Sequence, residues 1–285
     1  MLYKKIDAAS ESSVTSALDL FRTPPTSTDI SNAYYREYQT LNPITSTPFH
    51  FKIHPITSFI DLSKCYLLTE FKIVKVAGDT KSDLAATDVI STCQMPGGTF
   101  IRNLVCFING KEVFNANQLY AYKAYLDVEL SYPKHVKDTY MSVVGYYPDG
   151  EDQDSITGAG FVSRKNLFAK SGAVQFITNI EADIFCQDLY LINNCEVDLE
   201  ITPQRDDFML IQAPADDTTY KLELQSIRLY VKTIELMDGL SLDIARRLDG
   251  NPARYSMRKS MLKSLFITEG RYEFHRYSYD IMNIC

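Results

Sequence analysis

With 285 residues, 45% of them hydrophobic, the chain can bury one large core or two modest ones. Its formal charge of −7, from 29 basic and 36 acidic side chains, argues against a protein that wraps nucleic acid by bulk electrostatics but leaves room for a local basic patch; contact with nucleic acid is expected at most indirectly. No apolar run reaches bilayer-spanning length, and the six scattered cysteines form no C-x-x-C pair and follow no secretory leader. This pattern predicts reduced thiols in a soluble, intracellular protein with no membrane partner.

Residues 1–30 read as an N-terminal arm. Met1 to Ser16 is polar and Ser-rich, and Pro24-Pro25 favours an extended path laid on the body. Tyr34 to Thr40 and Phe49 to Ile53 read as strands; in the second, Phe49, Phe51 and Ile53 alternate with His50, Lys52 and His54. Ile60 to Ser63 reads as a turn and Cys65 to Val76 as a long strand with Leu67, Phe71 and Ile73 inward. A polar loop from Gly78 to about Asp88 follows, then the punctuation Pro96-Gly97-Gly98.

Phe100 to Ile108 carries apolar residues on both strand faces and predicts a strand covered twice, with Cys106 a small buried hydrophobe. Asn109-Gly110 predicts a type I′ hairpin turn, because both central residues need positive φ. The period then changes: Leu119, Tyr122, Leu126 and Leu130 stand at helical spacing and predict the core-facing stripe of a helix stopped by Pro133. Tyr146 to Gly160, acidic and Gly-containing, reads as a long exposed loop.

Ala173 to Ile180 is another strand, and Ile184 to Leu191 is an apolar piece of ambiguous type. Cys195 to Thr202 alternates clearly, with Cys195, Val197, Leu199 and Ile201 inward. In Lys221 to Glu235 the apolar phase slips by one near Gln225-Ser226, which predicts a β-bulge or barrel corner. Leu240 to Leu248 reads as a short amphipathic helix with Ser241 as N-cap, Gly250 past its end and Pro252 beyond. Tyr255 to Ile267 returns to strand-like composition. Many strands, few helices and frequent turn signals predict an all-β jelly-roll sandwich or barrel with short helical insertions.

Chemistry finds little foothold. His50 and His54, if on one strand, are about 13 Å apart, too far to share a metal with bonds near 2 Å. His135 and His275 are isolated. The run Asp149, Glu151, Asp152 and Asp154 lacks the EF-hand order and reads as a solvated loop. There is no P-loop, G-x-G-x-x-G or G-x-S-x-G. Arg254, Arg258, Lys259 and Lys263 make the C-terminal segment locally basic, which fits an edge strand blunted by charge better than a phosphate site. No catalytic, cofactor-binding or metal-binding residue is assigned, and no cofactor is expected.

Five stretches carry more than periodicity. They are SALDLFRTPPTSTDISNAYYREYQTLNP from Ser16, FIDLSKCYLLTEFKIVK from Phe59, FINGKEVFNANQLYAYKAYLDVELSY from Phe107, IEADIFCQDLYLINNCEVDLEITPQRDDFMLI from Ile180, and IRLYVKTIELMDGLSLDIARRLDGNPARYSMRK from Ile227. In this order they resemble the capsid-like proteins of Polinton/Maverick elements, virus-like DNA transposons of animals, and of their adintovirus relatives. The resemblance implies a major capsid protein of the double jelly-roll type, a non-enzymatic subunit that self-associates in threes into a pseudo-hexagonal capsomer and meets a minor capsid protein. It further implies a jelly roll over residues 31–236, then a connecting helix and the orphan first strand of a second jelly roll over residues 237–285. The family continues beyond the segment matching Ala253 to Ile267, so the chain reads as a truncated or decayed copy whose assembly would lack half of each subunit, leaving Leu262, Leu265, Phe266 and Ile267 without partners. The alternatives are a minor, penton-type single jelly-roll protein, in which Ala253 to Ile267 closes the barrel, and a jelly-roll ligand-binding module or cupin-like metalloenzyme, for which His50, His54 and the acidic loop are the hints.

Overall fold

A computed structural model describes residues 20, 28–149, 155–214, 216–257 and 260–264 of the chain. Eleven strands and six α-helices follow in order: β1 (Ile30–Gln39), β2 (Phe49–Ile53), β3 (Phe59–Ala77), β4 (Thr80–Ser82), β5 (Ile90–Thr92), α1 (Pro96–Thr99), β6 (Ile101–Ile108), β7 (Lys111–Asn115), α2 (Tyr120–Ser131), α3 (Lys134–Thr139), α4 (Ala159–Leu167), β8 (Val174–Asn179), β9 (Val197–Pro203), α5 (Asp206–Met209), β10 (Leu210–Gln212), β11 (Thr219–Leu236) and α6 (Asp238–Leu248). Short 3-10 turns cover Tyr140–Val144, Ala169–Ser171 and Asp183–Cys186.

One antiparallel sheet runs β1-β11-β3, with β8 and β4 both on the far edge of β3, and a second runs β2-β9-β6-β7. Set β4, β5 and β10 aside and number the other eight strands along the chain. The sheets then read 1-8-3-6 and 2-7-4-5, the double Greek key of a jelly roll. The fold is therefore an all-β jelly-roll sandwich with short helical insertions. Inward residues of both sheets build its core: Leu67, Phe71 and Ile73 from β3, Leu229 and Val231 from β11, Phe49, Phe51 and Ile53 from β2, Leu104 and Cys106 from β6, and Val197, Leu199 and Ile201 from β9, all at most 2% exposed.

Local chemistry explains the register. Asn109 (φ 50°) and Gly110 (φ 74°) close the β6–β7 hairpin in the expected left-handed conformation. The phase slip in β11 is a bulge, since its pairing with β3 shifts between Leu224 and Ser226. The turn expected at Ile60 to Ser63 is instead part of β3. Lys232 pairs with Asp61 while Tyr230 pairs with Tyr66, so four residues of β3 stand opposite Val231. The extra loop of chain is held by Cys65 Sγ donating to the Asp61 carbonyl and by Ser63 Oγ donating to the Asp61 carboxylate. A turn signal inside a strand has become a wide bulge.

Two further expectations are corrected. Helix α6 begins one turn earlier than Ser241, with Met237 at the N-cap making no side-chain cap and Asp238 meeting the positive end of the helix dipole. Described residues 252–257 and 260–264 form no strand. The Tyr255 hydroxyl accepts from Ile192 N at 2.9 Å and donates to the Tyr190 carbonyl at 3.1 Å, while Ser260 bonds the Asp183 carboxylate through both Oγ and N. Side-chain bonds of this kind tie the segment to the body along a path that offers its backbone no ladder. Apart from Leu20, the expected arm before Thr28 lies outside the described residues, as do residues 150–154 of the acidic loop, Arg258, Lys259 and the segment from Leu265 onward, including His275.

Candidate functional site

The connection from β7 to β8 is the largest insertion in the sandwich and carries α2, α3 and α4. The helix α2 was expected to bury Leu119, Tyr122, Leu126 and Leu130. It buries Tyr120, Ala121, Ala124 and Val128 instead, and leaves Tyr122, Leu126 and Leu130 at 50%, 39% and 83% exposure. Small residues decide the orientation. Ala124 lies against Gly98 of the buried helix α1, close enough that a Cβ on that glycine would stand 3.9 Å from the alanine's own. The fully buried Tyr120 ring places its hydroxyl 2.8 Å from Glu181 N, which donates to it. An apolar row at i, i+4 and i+8 thus faces outward, held at one end by an edge-on contact of Tyr122 with Phe208, 5.7 Å between ring centres. Tyr140, Val143 and Ile177, also exposed, ring a small recess beside the buried flank of the same helix.

The insertion is clamped from beneath by Arg164 of α4, which is 2% exposed. Its Nε donates to the Thr92 carbonyl at 3.1 Å, its Nη1 to Gln94 Oε1 at 2.9 Å and to the Tyr147 carbonyl at 3.0 Å, and its Nη2 lies 3.3 Å from Asp149 Oδ2. Asp149 in turn accepts from Phe161 N at 3.0 Å. The first acid of the run expected as a solvated loop is therefore a structural anchor, a role its composition did not signal. On α2, Glu129 accepts from Lys137 Nζ at 2.6 Å and from the Tyr146 hydroxyl at 2.7 Å. Burial alone would raise the Glu129 pKa, but these two donors outweigh it and hold the carboxyl below its ordinary range.

A different surface lies on the outer face of the large sheet. Tyr66 and Tyr230 stack at 5.0 Å with 14° between their planes, Tyr35 leans on Tyr66 at 5.4 Å, and Lys232 Nζ sits 4.8 Å above the Tyr35 ring. All three tyrosines come from strands the sequence disclosed, but only the register brings them together.

The residues weighed for chemistry are dispersed. His50 Nδ1 is 3.6 Å from Glu200 Oε1 across the β2–β9 ladder, and His54 lies one residue beyond the end of β2. Among the described residues no group of three His, Cys, Asp or Glu side chains is spaced to hold a metal. Burial pushes the Cys93 thiol up to about 11 and the Cys65 and Cys106 thiols up to about 12, which makes all three poor nucleophiles. Glu181, beside Asp127 and Lys123 in a polar recess of about 560 Å³, has its pKa raised, by burial first and by Asp127 second, with Lys123 opposing. At the open end of the sandwich a cavity of about 450 Å³ is lined by Phe49, Phe71, Phe100 and Met209 below and by Lys81 and Glu223, which pair with each other, at its rim. Arg254 of the basic segment lines an apolar groove of about 440 Å³ with Leu236, Leu240, Ile244 and Tyr255. No described helix is long and apolar enough to cross a membrane.

No protein-family model matches the chain. It is 26% identical over 225 residues to the uncharacterized protein F54H12.2 of Caenorhabditis elegans, a match that covers 76% of this chain and 52% of the relative. The chain thus spans about half the length of the curated relative it matches. Among solved structures it resembles a chain of the Sputnik virophage cryo-EM structure, with TM-score 0.55 and 14% identity over 84% of this chain and 55% of that one. It also resembles the mavirus major capsid protein, with TM-score 0.46 and 12% identity over 83% of this chain and 54% of that one.

Proposed function

We propose that this chain is a structural subunit of a virus-like shell, a capsid protein of the type carried by Polinton/Maverick elements, acting inside the cell and performing no reaction. The observation that carries the reading is the jelly roll itself: two four-stranded sheets in the 1-8-3-6 and 2-7-4-5 order, alike to a virophage chain over 84% of this sequence. The outward apolar row Tyr122, Leu126 and Leu130 supports it, since a monomer gains nothing by turning that face of a helix to water. Five family-like segments in register support the same reading from the sequence. Partners on this view are further copies of the chain, in capsomers of three, and a minor capsid protein.

A penton-type reading draws on all eight strands of one jelly roll falling within Ile30–Leu236, although the segment it expects to close the barrel, Ala253 to Ile267, forms no strand over its described residues. Native mass spectrometry and negative-stain microscopy of the purified full-length chain separate the two. Trimers or shell fragments support the major-capsid reading, and closed pentamers support the penton reading. A monomer at all concentrations that carries a stoichiometric small molecule or metal would overturn both in favour of a binding module.

A further inference from the structure

Strand β1 is a long edge of its sheet. It pairs with β11 on one side, and among the described residues nothing pairs with its other side over Ile30–Gln39. Of its ten residues eight are exposed and two, Tyr34 and Tyr38, half-buried. The other strands at sheet margins are shorter: five residues each in β2 and β7, six in β8 and three in β4. Natural sheets blunt long edges with proline, with charged side chains, lysine above all, or with a bulge; the two charges of β1, Arg36 and Glu37, are opposite in sign and engaged within the chain, Arg36 by Tyr34 and Glu37 by Tyr230 and Arg228. The sequence ISNAYYREYQ has neither proline nor lysine, and its one irregularity lies between Ile30 and Asn32, at the very start.

We propose that β1 is a pairing edge for β1 of a second copy, antiparallel across a two-fold axis centred on Tyr35, which joins two large sheets into one continuous sheet. This deepens the shell reading by naming one contact between copies, and it rests on that reading only for its purpose, not for its geometry.

The register follows from symmetry and charge. A two-fold axis perpendicular to the sheet keeps each side chain on its own face, so residue i can stand opposite residue j only when both share a face. Lys232 opposite Tyr35, with Tyr230 opposite Glu37, puts Tyr35 and Glu37 on the outer face, and Val231 opposite Arg36 puts Arg36 on the inner one. An axis at Arg36 would set two guanidinium groups against each other, and one at Glu37 two carboxylates, both unfavourable. An axis at Tyr34 draws the bulged Ile30 into the ladder. An axis at Tyr35 uses Ser31 to Gln39, sets Tyr35 against its own copy, and sets Arg36 against Tyr34 of the second chain. Arg36 already lies 5.7 Å over the Tyr34 ring of its own chain, so it serves both rings. The cluster of Tyr35, Tyr66 and Tyr230 then meets its own image across the axis.

One strand edge is a small interface, so the pair is weak in isolation and firm only where many copies are held together. Cysteine cross-linking captures weak pairs and reads the register. In the full-length chain with Cys186→Ser and Cys285→Ser, Tyr35→Cys places two thiols on strands whose opposed Cα atoms are about 4.5–5.5 Å apart, within disulfide reach. Glu37→Cys stands opposite Ala33, so its two copies are about 13 Å apart and out of reach. Mild oxidation is expected to give a covalent dimer with Tyr35→Cys and none with Glu37→Cys. Tyr35→Lys in the native chain is expected to weaken dimerisation in sedimentation equilibrium by about tenfold or more, while the melting temperature falls only a few degrees, since the new ammonium also stands opposite Lys232 of its own chain. Equal cross-linking at both cysteine positions, or at neither, overturns the inference. A Tyr35-centred dimer that never builds larger assemblies would sink the shell reading alone, and trimers or particles without the Tyr35 cross-link would sink this contact alone.

Discussion

The Arg164 guanidinium, sealed from solvent, meets the Asp149 carboxylate at 3.3 Å while its other nitrogens hold the carbonyls of Thr92 and Tyr147. One side chain thus fastens the helical insertion to β5 and to the chain that follows the 3-10 turn at Tyr140–Val144. Arg164→Met keeps much of the volume but strands a buried carboxylate, Gln94 and two carbonyls. Breaking such a pair from one side costs about 3–5 kcal/mol. Thermal unfolding is expected to shift down by roughly 10 °C, and Arg164→Lys is expected to recover little of it, because an ammonium lacks the planar fork these acceptors surround. A melting temperature within a degree or two of wild type would mean that the clamp contributes nothing.

Glu181 gives a pH test whose sign is fixed. Burial raises its folded pKa above the unfolded value. The folded state therefore holds the proton more tightly, and stability from this group is lowest when pH exceeds both values. It rises as pH falls through the folded pKa and is complete below the ordinary carboxylate range. Glu181→Gln is expected to raise the melting temperature at pH 7, with the difference from wild type vanishing by about pH 4. A lower melting temperature at pH 7 would show that the charge is used where it stands.

Much of this architecture is legible in the sequence, for a definite reason. β2 and β9 have one wet and one dry face, so strict alternation reports them; Asn109-Gly110 and the slip at Gln225-Ser226 report a turn and a bulge because each has a backbone cause. The helix α2 misleads because hydrophobicity is not what seats it. Close packing of Ala124 against Gly98 and the hydrogen bond of Tyr120 choose the small-residue face, and no period carries that information. The helix α4 and the short strands β5 and β10 escape notice for the same reason, since their partners are distant in sequence. The clamp at Arg164 is invisible until four separated groups converge on it.

Gly145 tests the seat of α1 directly. Its φ of 81° is in the left-handed region, and a Cβ there would stand 2.6 Å from Pro96 Cδ and 2.8 Å from Phe176 Cε1. Backbone strain of about 1–2 kcal/mol adds to an overpacking cost of about 1–3 kcal/mol. Gly145→Ala should therefore destabilise by about twice as much as Gly78→Ala, where φ is +60° but the space is open. Urea titration of the pair reads the difference, and equal midpoints would show that the α1 seat yields freely.

The last prediction concerns the apolar row on α2, and it separates folding from assembly. Leu126 and Leu130 stand outside the core, so replacing both with lysine removes little buried surface and should change the unfolding free energy by no more than about 0.5 kcal/mol per site. If that face meets another copy, the same change sets charges into a contact built from leucine and tyrosine, and burying an unpaired ammonium is costly. Leu126→Lys/Leu130→Lys is therefore expected to leave the melting temperature where it was while shifting the sedimentation profile from oligomer toward monomer. The reverse pattern, a large loss of stability with association intact, would mean that the row packs against this chain's own segments and has no part in holding copies together. The control is Val128→Ala on the opposite, buried face, where about 1–2 kcal/mol of stability should be lost with no direct effect on association.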